Sequence, residues 1–200
     1  MDYLNYSPLQ LDALREVGNI GAGNAATALS QLINEKVSIT VPSVNIIRIN
    51  DIMDNRDGEQ LTIGVIVRVL GDVPGNILFL FNNDSAMITI KNLTGQKEEI
   101  LSEMGNSVLC EIVNIIASSY LTAISKLTNL VMLTSVPAIT LDMFSAILST
   151  TFIESGQFDD YVIDIKTEMY NEISYELPGH FYFIPMPGSL EKILNALGIF

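Results

Sequence analysis

The chain has 200 residues, of which 48% are hydrophobic and 16% charged, so it can bury a sizeable core in one domain or in two small ones. Its 23 acidic and 10 basic residues give a formal net charge of −13, which argues against binding to a nucleic-acid backbone, because that needs clustered Lys and Arg. The single cysteine, Cys110, excludes an internal disulfide, and the single histidine, His180, argues against a protein-built zinc site.

The first half of the chain begins with a long predicted helix. Ser7 can cap this helix, Pro8 suits its first position and Gln10 completes a capping box. The helix should end near Asn34. The segment KVSITVPSV then alternates with a period of two, which indicates a strand. LTIGVIVRVLGDVPGNILFLF is typical of two strands joined by a turn rich in Gly and Pro, and a short helix should begin at about Asp84.

The second half repeats this plan. A long helix is predicted over about 98–128, and a strand follows around Val131–Val136. We expect LDMFSAILSTTF to be helical, YVIDIKTEMY and ISYELPGHFYFIP to form a hairpin, and Ser189 to cap a last helix. The predicted fold class is therefore α+β, with long helices packed on an antiparallel β-sheet.

The two halves are related in sequence. Shifting the chain by 95 residues aligns Asp12–Val44 with Ser107–Ile139 without a gap, and 12 of the 33 positions are identical, where chance would give about two. This internal repeat predicts one domain with pseudo-two-fold symmetry, spanning 1–200 and made of the halves 1–95 and 96–200. The identical pairs include Glu16/Glu111, Asn19/Asn114, Asn34/Asn129 and Pro42/Pro137.

The sequence favours a cytoplasmic protein without a membrane span. A span needs roughly 20 consecutive apolar residues, and the best candidate, 108–133, is interrupted by Glu111, Asn114, Lys126 and Asn129. The first residues have no basic region followed by an apolar stretch, so no secretory signal is predicted. A lone reduced cysteine fits the cytosol, which is the expected compartment.

A polar stripe runs along each long helix. With about 100° per residue, Glu16, Asn19 and Gly23 lie within about 40° of Asp12 on the helix surface, and Ser107, Glu111, Asn114 and Ser118 form the equivalent stripe. Any surface helix needs a solvent-facing side. Surface positions normally change fastest, however, and here Glu and Asn recur with the same ExxN spacing. The repeat therefore marks these two stripes as candidate functional sites.

The duplicated pattern [Asp/Ser]-x3-Glu-x2-Asn resembles that of the CheC-type chemotaxis phosphatases. It is present as DALREVGN, 12–19, and as SVLCEIVN, 107–114. The continuation GNIGAGNAATALS is also similar to the family, and the resemblance covers essentially the whole chain. Two intact motifs place the chain nearest to the CheC branch and imply two active sites.

The resemblance implies a mechanism in which the substrate protein brings most of the chemistry. The substrate is the aspartyl phosphate of the response regulator CheY, which holds its own Mg²⁺, so the phosphatase needs no cofactor, metal or nucleophile of its own. By the same resemblance Asn19 and Asn114 orient the attacking water, and Glu16 and Glu111 pair with the regulator's active-site lysine. The remaining stripe residues, Asp12, Gly23, Ser107 and Ser118, are assigned to docking of the regulator.

Two other functions are compatible with parts of the sequence. CheC-type proteins are also partners of the receptor deamidase CheD, so the chain could be a non-catalytic adaptor, although an adaptor has no evident need for both asparagines. The glycine-rich run GNIGAGN could instead bind a nucleotide. That interpretation is disfavoured, because a dinucleotide fingerprint follows a strand, whereas a well-capped helical segment precedes these glycines.

Overall fold

The two halves of the chain build one continuous antiparallel sheet. A computed structural model describes residues 6–48, 51–52, 58–95, 101–155, 161–171 and 176–199. Within those ranges the helices are α1 (Pro8–Ile33), α2 (Asn83–Thr94), α3 (Glu103–Thr128), α4 (Phe144–Ser155) and α5 (Ser189–Ala196). The strands are β1 (Val37–Arg48), β2 (Leu61–Gly71), β3 (Gly75–Asn82), β4 (Met132–Thr134), β5 (Ala138–Met143), β6 (Tyr161–Asn171) and β7 (Glu176–Pro185).

The order of the strands has the symmetry that the repeat predicts. The sheet runs β1-β6-β7-β3-β2, and β2 then pairs with both β4 and β5. Exchanging the halves, so that β1 replaces β4 with β5, β2 replaces β6 and β3 replaces β7, gives the same order read backwards. The α+β class and the pseudo-two-fold duplication are therefore confirmed.

The strand register repeats as well. In the first half Val37 pairs with Asn171 and Ser43 with Lys166. The counterparts of the β1 residues are numbered 95 higher, and those of the β6 residues are numbered 100 lower. The equivalent pairs are therefore Met132 with Gly71 and Ala138 with Ile66, and both pairs are observed. The register of β1 shifts between Thr40 and Ser43, and the equivalent point in the second half is the gap between β4 and β5. Pro42 and Pro137 occupy these two irregularities, where the ladder needs no proline N–H.

Both faces of the sheet are covered. One face carries Ile63, Val65 and Phe79, which belong to a large core with buried residues of α1 and α3. The other face carries Leu78 and Leu80, which belong to a smaller core with α4. Ile52 of the first half, which follows β1 as α4 follows β5, belongs to the same smaller core.

The ends of the long helices are fixed by local chemistry. Ser7 and Gln10 form the predicted capping box at the start of α1. Asn34 and Asn129 both adopt the left-handed conformation at the C-caps of α1 and α3, with φ of 53° and 58°, which Asn tolerates better than most residues. The predicted capping box and the predicted end of the first helix near Asn34 are confirmed. Asp72, in the turn after β2, accepts a hydrogen bond of 2.8 Å from the backbone N–H of Val131 after α3.

Two local predictions are wrong. Leu141–Met143 was expected to be helical with the residues that follow, but it continues β5, because its backbone pairs with β2. Ser189 does not cap α5: Gly188 is the N-cap, and the Ser189 hydroxyl donates to the carbonyl of Pro74 at 2.9 Å. The second long helix begins at Glu103 rather than near 98, and residues 98–100 lie outside the described ranges.

Helix α3 has a composition that a membrane span would also have. By length and hydropathy alone it could cross a bilayer. Its apolar residues Leu109, Ile112, Ile116 and Leu121 are nevertheless buried in the core, as in the central helix of a globular domain.

Candidate active site

The two polar stripes lie at the protein surface, as predicted. On α1, Asp12, Glu16 and Gly23 are exposed and Asn19 is half-buried. On α3, Ser107 and Glu111 are exposed, whereas Asn114 and Ser118 are half-buried. In both copies the glutamate is therefore exposed on the helix surface, and the asparagine is half-buried.

The two helices that carry the stripes pack closely. A Cβ added at Gly21 of α1 would lie 2.8 Å from the Cα of Tyr120 on α3, so the backbones approach where Gly21 has no side chain. The symmetry-related positions are Ile116 and Ala25, both buried. At both positions α3 therefore carries the large residue, Tyr120 or Ile116, and α1 carries the small one, Gly21 or Ala25.

In the first copy the asparagine amide is tied to strand β1. The Asn19 Oδ1 accepts a hydrogen bond of 3.0 Å from the backbone N–H of Val41, and its Nδ2 donates to the Val41 carbonyl at 3.4 Å. Val41 is the residue just before Pro42, at the register shift of β1. At the head of the same stripe Asp12 forms an exposed ion pair of 3.1 Å with Arg15, which is worth little because it is exposed to solvent.

In the second copy the equivalent residues line an open cleft. Its volume is about 440 Å³, and α3 contributes Ser107, Cys110, Glu111 and Asn114 to its wall. The opposite wall is the segment 134–137 that connects β4 to β5. The structure therefore brings together three of the four stripe residues of this half, while Ser118 hydrogen-bonds Thr134 at 3.3 Å.

The cleft offers an amide and a carboxylate but no activated nucleophile. Partial burial raises the pKa of the Cys110 thiol, which keeps it protonated and unreactive at neutral pH. Within the described ranges, Glu16 and Glu111 make no ion pair or side-chain hydrogen bond, and no group of three or more His, Cys, Asp or Glu could hold a metal. The exposed carboxylates are free to meet a cation on a partner.

The glycine-rich run has a structural position rather than that of a phosphate loop. Residues 18–24 lie inside α1, after ten residues of helix and before the first strand. The order of elements required by a dinucleotide fingerprint is therefore absent from this segment.

Comparison with known proteins agrees with the duplicated geometry. The model of the CheC-like family matches residues 9–46 and 104–141, and both boundaries are related by the same 95-residue shift. The chain is 35% identical over 196 residues to the CheY-P phosphatase CheC of Bacillus subtilis (strain 168), and the match covers 94% of each chain. The chain belongs to the CheC-like family.

Two further proteins are similar to this chain. The flagellar motor switch phosphatase FliY of Bacillus subtilis (strain 168) is 34% identical over 122 residues, which are 60% of this chain and 32% of FliY. The crystal structure of Thermotoga maritima FliY has the same fold, with a TM-score of 0.80 at 22% identity and coverage of 96% of this chain and 98% of that one.

Sequence reasoning missed the segments that face the stripes. Val41 bonds to Asn19, and the residues around Val136 form the far wall of the second cleft. A signal for both was present, because Val41/Val136 and Pro42/Pro137 are among the identities of the repeat. Pro42 and Pro137 lie at irregularities of the strands, and each also borders a candidate site.

Proposed function

We propose that this protein hydrolyses the aspartyl phosphate of a CheY-type response regulator. The observation that carries the proposal is the cleft in which Glu111 and Asn114 lie side by side with Ser107, on the helix that repeats the motif of α1. A relative with 35% identity along nearly the whole chain is named as a CheY-P phosphatase. The membership of the family and the geometry of the cleft support the same reaction.

The chemistry of the proposed step is in-line hydrolysis. Water attacks the phosphorus, the aspartate leaves as a free carboxylate, and inorganic phosphate is released. An asparagine amide can both donate and accept hydrogen bonds, so Asn19 or Asn114 can hold the water in line without acting as a strong base. The rate gain then comes from positioning, as with the water-orienting glutamine of GTPases.

The glutamates serve to orient the complex. Glu16 and Glu111 project from the helices about one turn before the asparagines, where each could pair with a lysine of the regulator. The formal net charge of −13 fits docking to a cationic surface. The regulator supplies the Mg²⁺ that neutralises the phosphoryl oxygens, so the proposed reaction requires no cofactor of this chain.

The remaining stripe residues are proposed to contact the regulator backbone or its rim. Apart from the neighbouring backbone of α1 itself, no atom lies within 4 Å of a Cβ added at Gly23, so the surface there is open to a partner. Ser107 and Ser118 are small and flank the second asparagine on the same helix face. Asp12 would have to exchange its pairing with Arg15 for a contact with the partner.

An assay of phosphate release separates this proposal from an adaptor role. Purified protein should accelerate phosphate release from phosphorylated CheY. The rate should be measured for the protein alone and in the presence of the receptor deamidase CheD, and acceleration is expected in both. Binding to CheD with no acceleration under either condition would contradict the phosphatase proposal and favour the adaptor. The proposed compartment is the cytoplasm, where response regulators are phosphorylated.

A further inference from the structure

The two asparagines of the repeated motif have different hydrogen-bond partners. The Asn19 amide binds both backbone groups of Val41, at 3.0 and 3.4 Å. Within the described ranges the Asn114 amide makes no side-chain hydrogen bond, and it lines the open cleft. An amide that already holds a strand is less available to hold a water molecule than one that faces a cleft.

The packing below each motif explains the difference. Val41 is 2% exposed, and it lies against Gly18, where an added Cβ would be 3.4 Å from the Val41 Cγ1. The position equivalent to Gly18 is Val113, which is fully buried, and the residue equivalent to Val41 is Val136, which is 88% exposed. In the second half the helix fills this space itself, and the valine of the strand segment is left outside.

In the second half, a different contact replaces the two hydrogen bonds between Asn19 and Val41. The Ser135 hydroxyl donates to the carbonyl of Val136 at 3.0 Å, and it accepts from the backbone N–H of Arg68 at 2.9 Å. The Val136 carbonyl is the counterpart of the one to which Asn19 donates. Because Ser135 already bonds this carbonyl and anchors the segment to β2, Asn114 is not needed to hold it.

We propose a division of roles between the two motifs, an inference that rests on the proposed phosphatase function. Asn114 is the principal water-orienting residue, and the exposed Val136 beside it is an apolar docking contact for the regulator. Asn19 is mainly a positioning residue that fixes the register shift of β1, and it reaches the substrate only when its bonds to Val41 are released.

Single substitutions of the asparagines test the division. If the sites were equal and independent, Asn19→Ala and Asn114→Ala would each leave half of the rate of phosphate release. We expect Asn114→Ala to lose much more than half, up to about 100-fold, with an unchanged melting temperature. We expect Asn19→Ala to keep more than half of the rate, and to lower the melting temperature by roughly 2–6 °C, since two hydrogen bonds to the backbone of the buried Val41 are lost.

The outcome that overturns the division is equal loss of activity in the two variants, or retention of half the rate by a folded Asn114→Ala protein. Because the Asn114 amide makes no hydrogen bond among the described residues, that variant should fold even if Asn19→Ala does not. The double variant distinguishes this failure from failure of the proposed function: a double variant with the normal rate removes the asparagine mechanism altogether, whereas equal single losses with an inactive double variant refute only the division.

The valines provide a matched test of the docking contact. Val136→Ser should raise KM for the phosphorylated regulator by roughly fivefold to tenfold, as expected when one valine no longer buries its side chain at an interface, with kcat and the melting temperature unchanged. Val41→Ser makes the same change at the buried counterpart and should lower the melting temperature instead. An unchanged KM in Val136→Ser would refute the docking role.

Discussion

The close approach of α1 and α3 predicts opposite effects for one substitution at two glycines. Both Gly21 and Gly23 lie in the interior of α1, where Gly→Ala gains about 1 kcal/mol from helix propensity. At Gly23 no atom outside the neighbouring backbone of α1 lies within 4 Å of the new Cβ, so the full propensity gain is expected. Gly23→Ala should therefore raise the melting temperature by about 2–4 °C, as expected for a protein of this size.

At Gly21 the same methyl group meets the partner helix. Its Cβ would lie 2.8 Å from the Tyr120 Cα and 3.1 Å from the Tyr120 Cγ, and a backbone atom cannot turn aside as the end of a side chain can. Overpacking of this kind costs about 1–3 kcal/mol, which equals or exceeds the propensity gain. Gly21→Ala should thus be neutral or destabilising by up to about 2 kcal/mol.

The two variants are controls for each other, because the change in side chain and in propensity is the same. Thermal unfolding followed by circular dichroism, together with urea titration, gives their difference in stability. We expect Gly21→Ala to be less stable than Gly23→Ala by about 1–3 kcal/mol. If Gly21→Ala melted as high as Gly23→Ala, the close packing of α1 on α3 would be refuted.

Three further predictions concern charge and pH. Glu16→Lys with Glu111→Lys should weaken regulator binding measured by calorimetry, whereas Glu35→Lys, a control at an exposed site off the stripe, should not; unchanged affinity in the double variant would remove the ion-pair role. The backbone N–H bonded to Asp72, and then the neighbouring lysine, lower the pKa of its carboxyl. Asp72→Asn should therefore melt below the wild type at neutral pH, and the difference should vanish as pH falls below 3.8. Burial raises the pKa of Tyr120 from 10.0 to about 12, so stability should fall as pH rises between these values, and Tyr120→Phe should reduce this fall.

Local chemistry explains which parts of the fold could be predicted from sequence. The capping box at Ser7 and the left-handed caps at Asn34 and Asn129 depend on residues within a few positions of one another. The hairpins follow from alternating apolar segments around Gly and Pro turns. The duplication then extended each local prediction to the other half, which is why the overall class was correct.

Long-range contacts explain the errors. Leu141–Met143 has the apolar composition of a helix, and only its pairing with β2 makes it a strand. Ser189 is a good N-cap residue by type, but its hydroxyl bonds to Pro74, more than a hundred residues away in sequence. Pairing and bonding over such separations leave no local pattern.

The candidate site shows the same division between local and long-range information. The stripes were predictable because Glu16 and Asn19 recur as Glu111 and Asn114 at the same helical spacing. The hydrogen bonds between Asn19 and Val41 join residues 22 positions apart. Aligning the two halves could not predict them, because both halves carry the same residues at these two positions. The sequence indicated two like sites, whereas the hydrogen bonds make them unlike.

The central claim is that the repeated asparagines drive hydrolysis, and one measurement tests it most directly. Phosphate release from phosphorylated CheY should be compared for the wild type, Asn19→Ala with Asn114→Ala, and Asn24→Ala, an exposed asparagine of α1 off the stripe. We predict that the double variant still binds the phosphorylated regulator but no longer accelerates phosphate release, while Asn24→Ala behaves as the wild type. A folded double variant that releases phosphate at the wild-type rate would contradict the account.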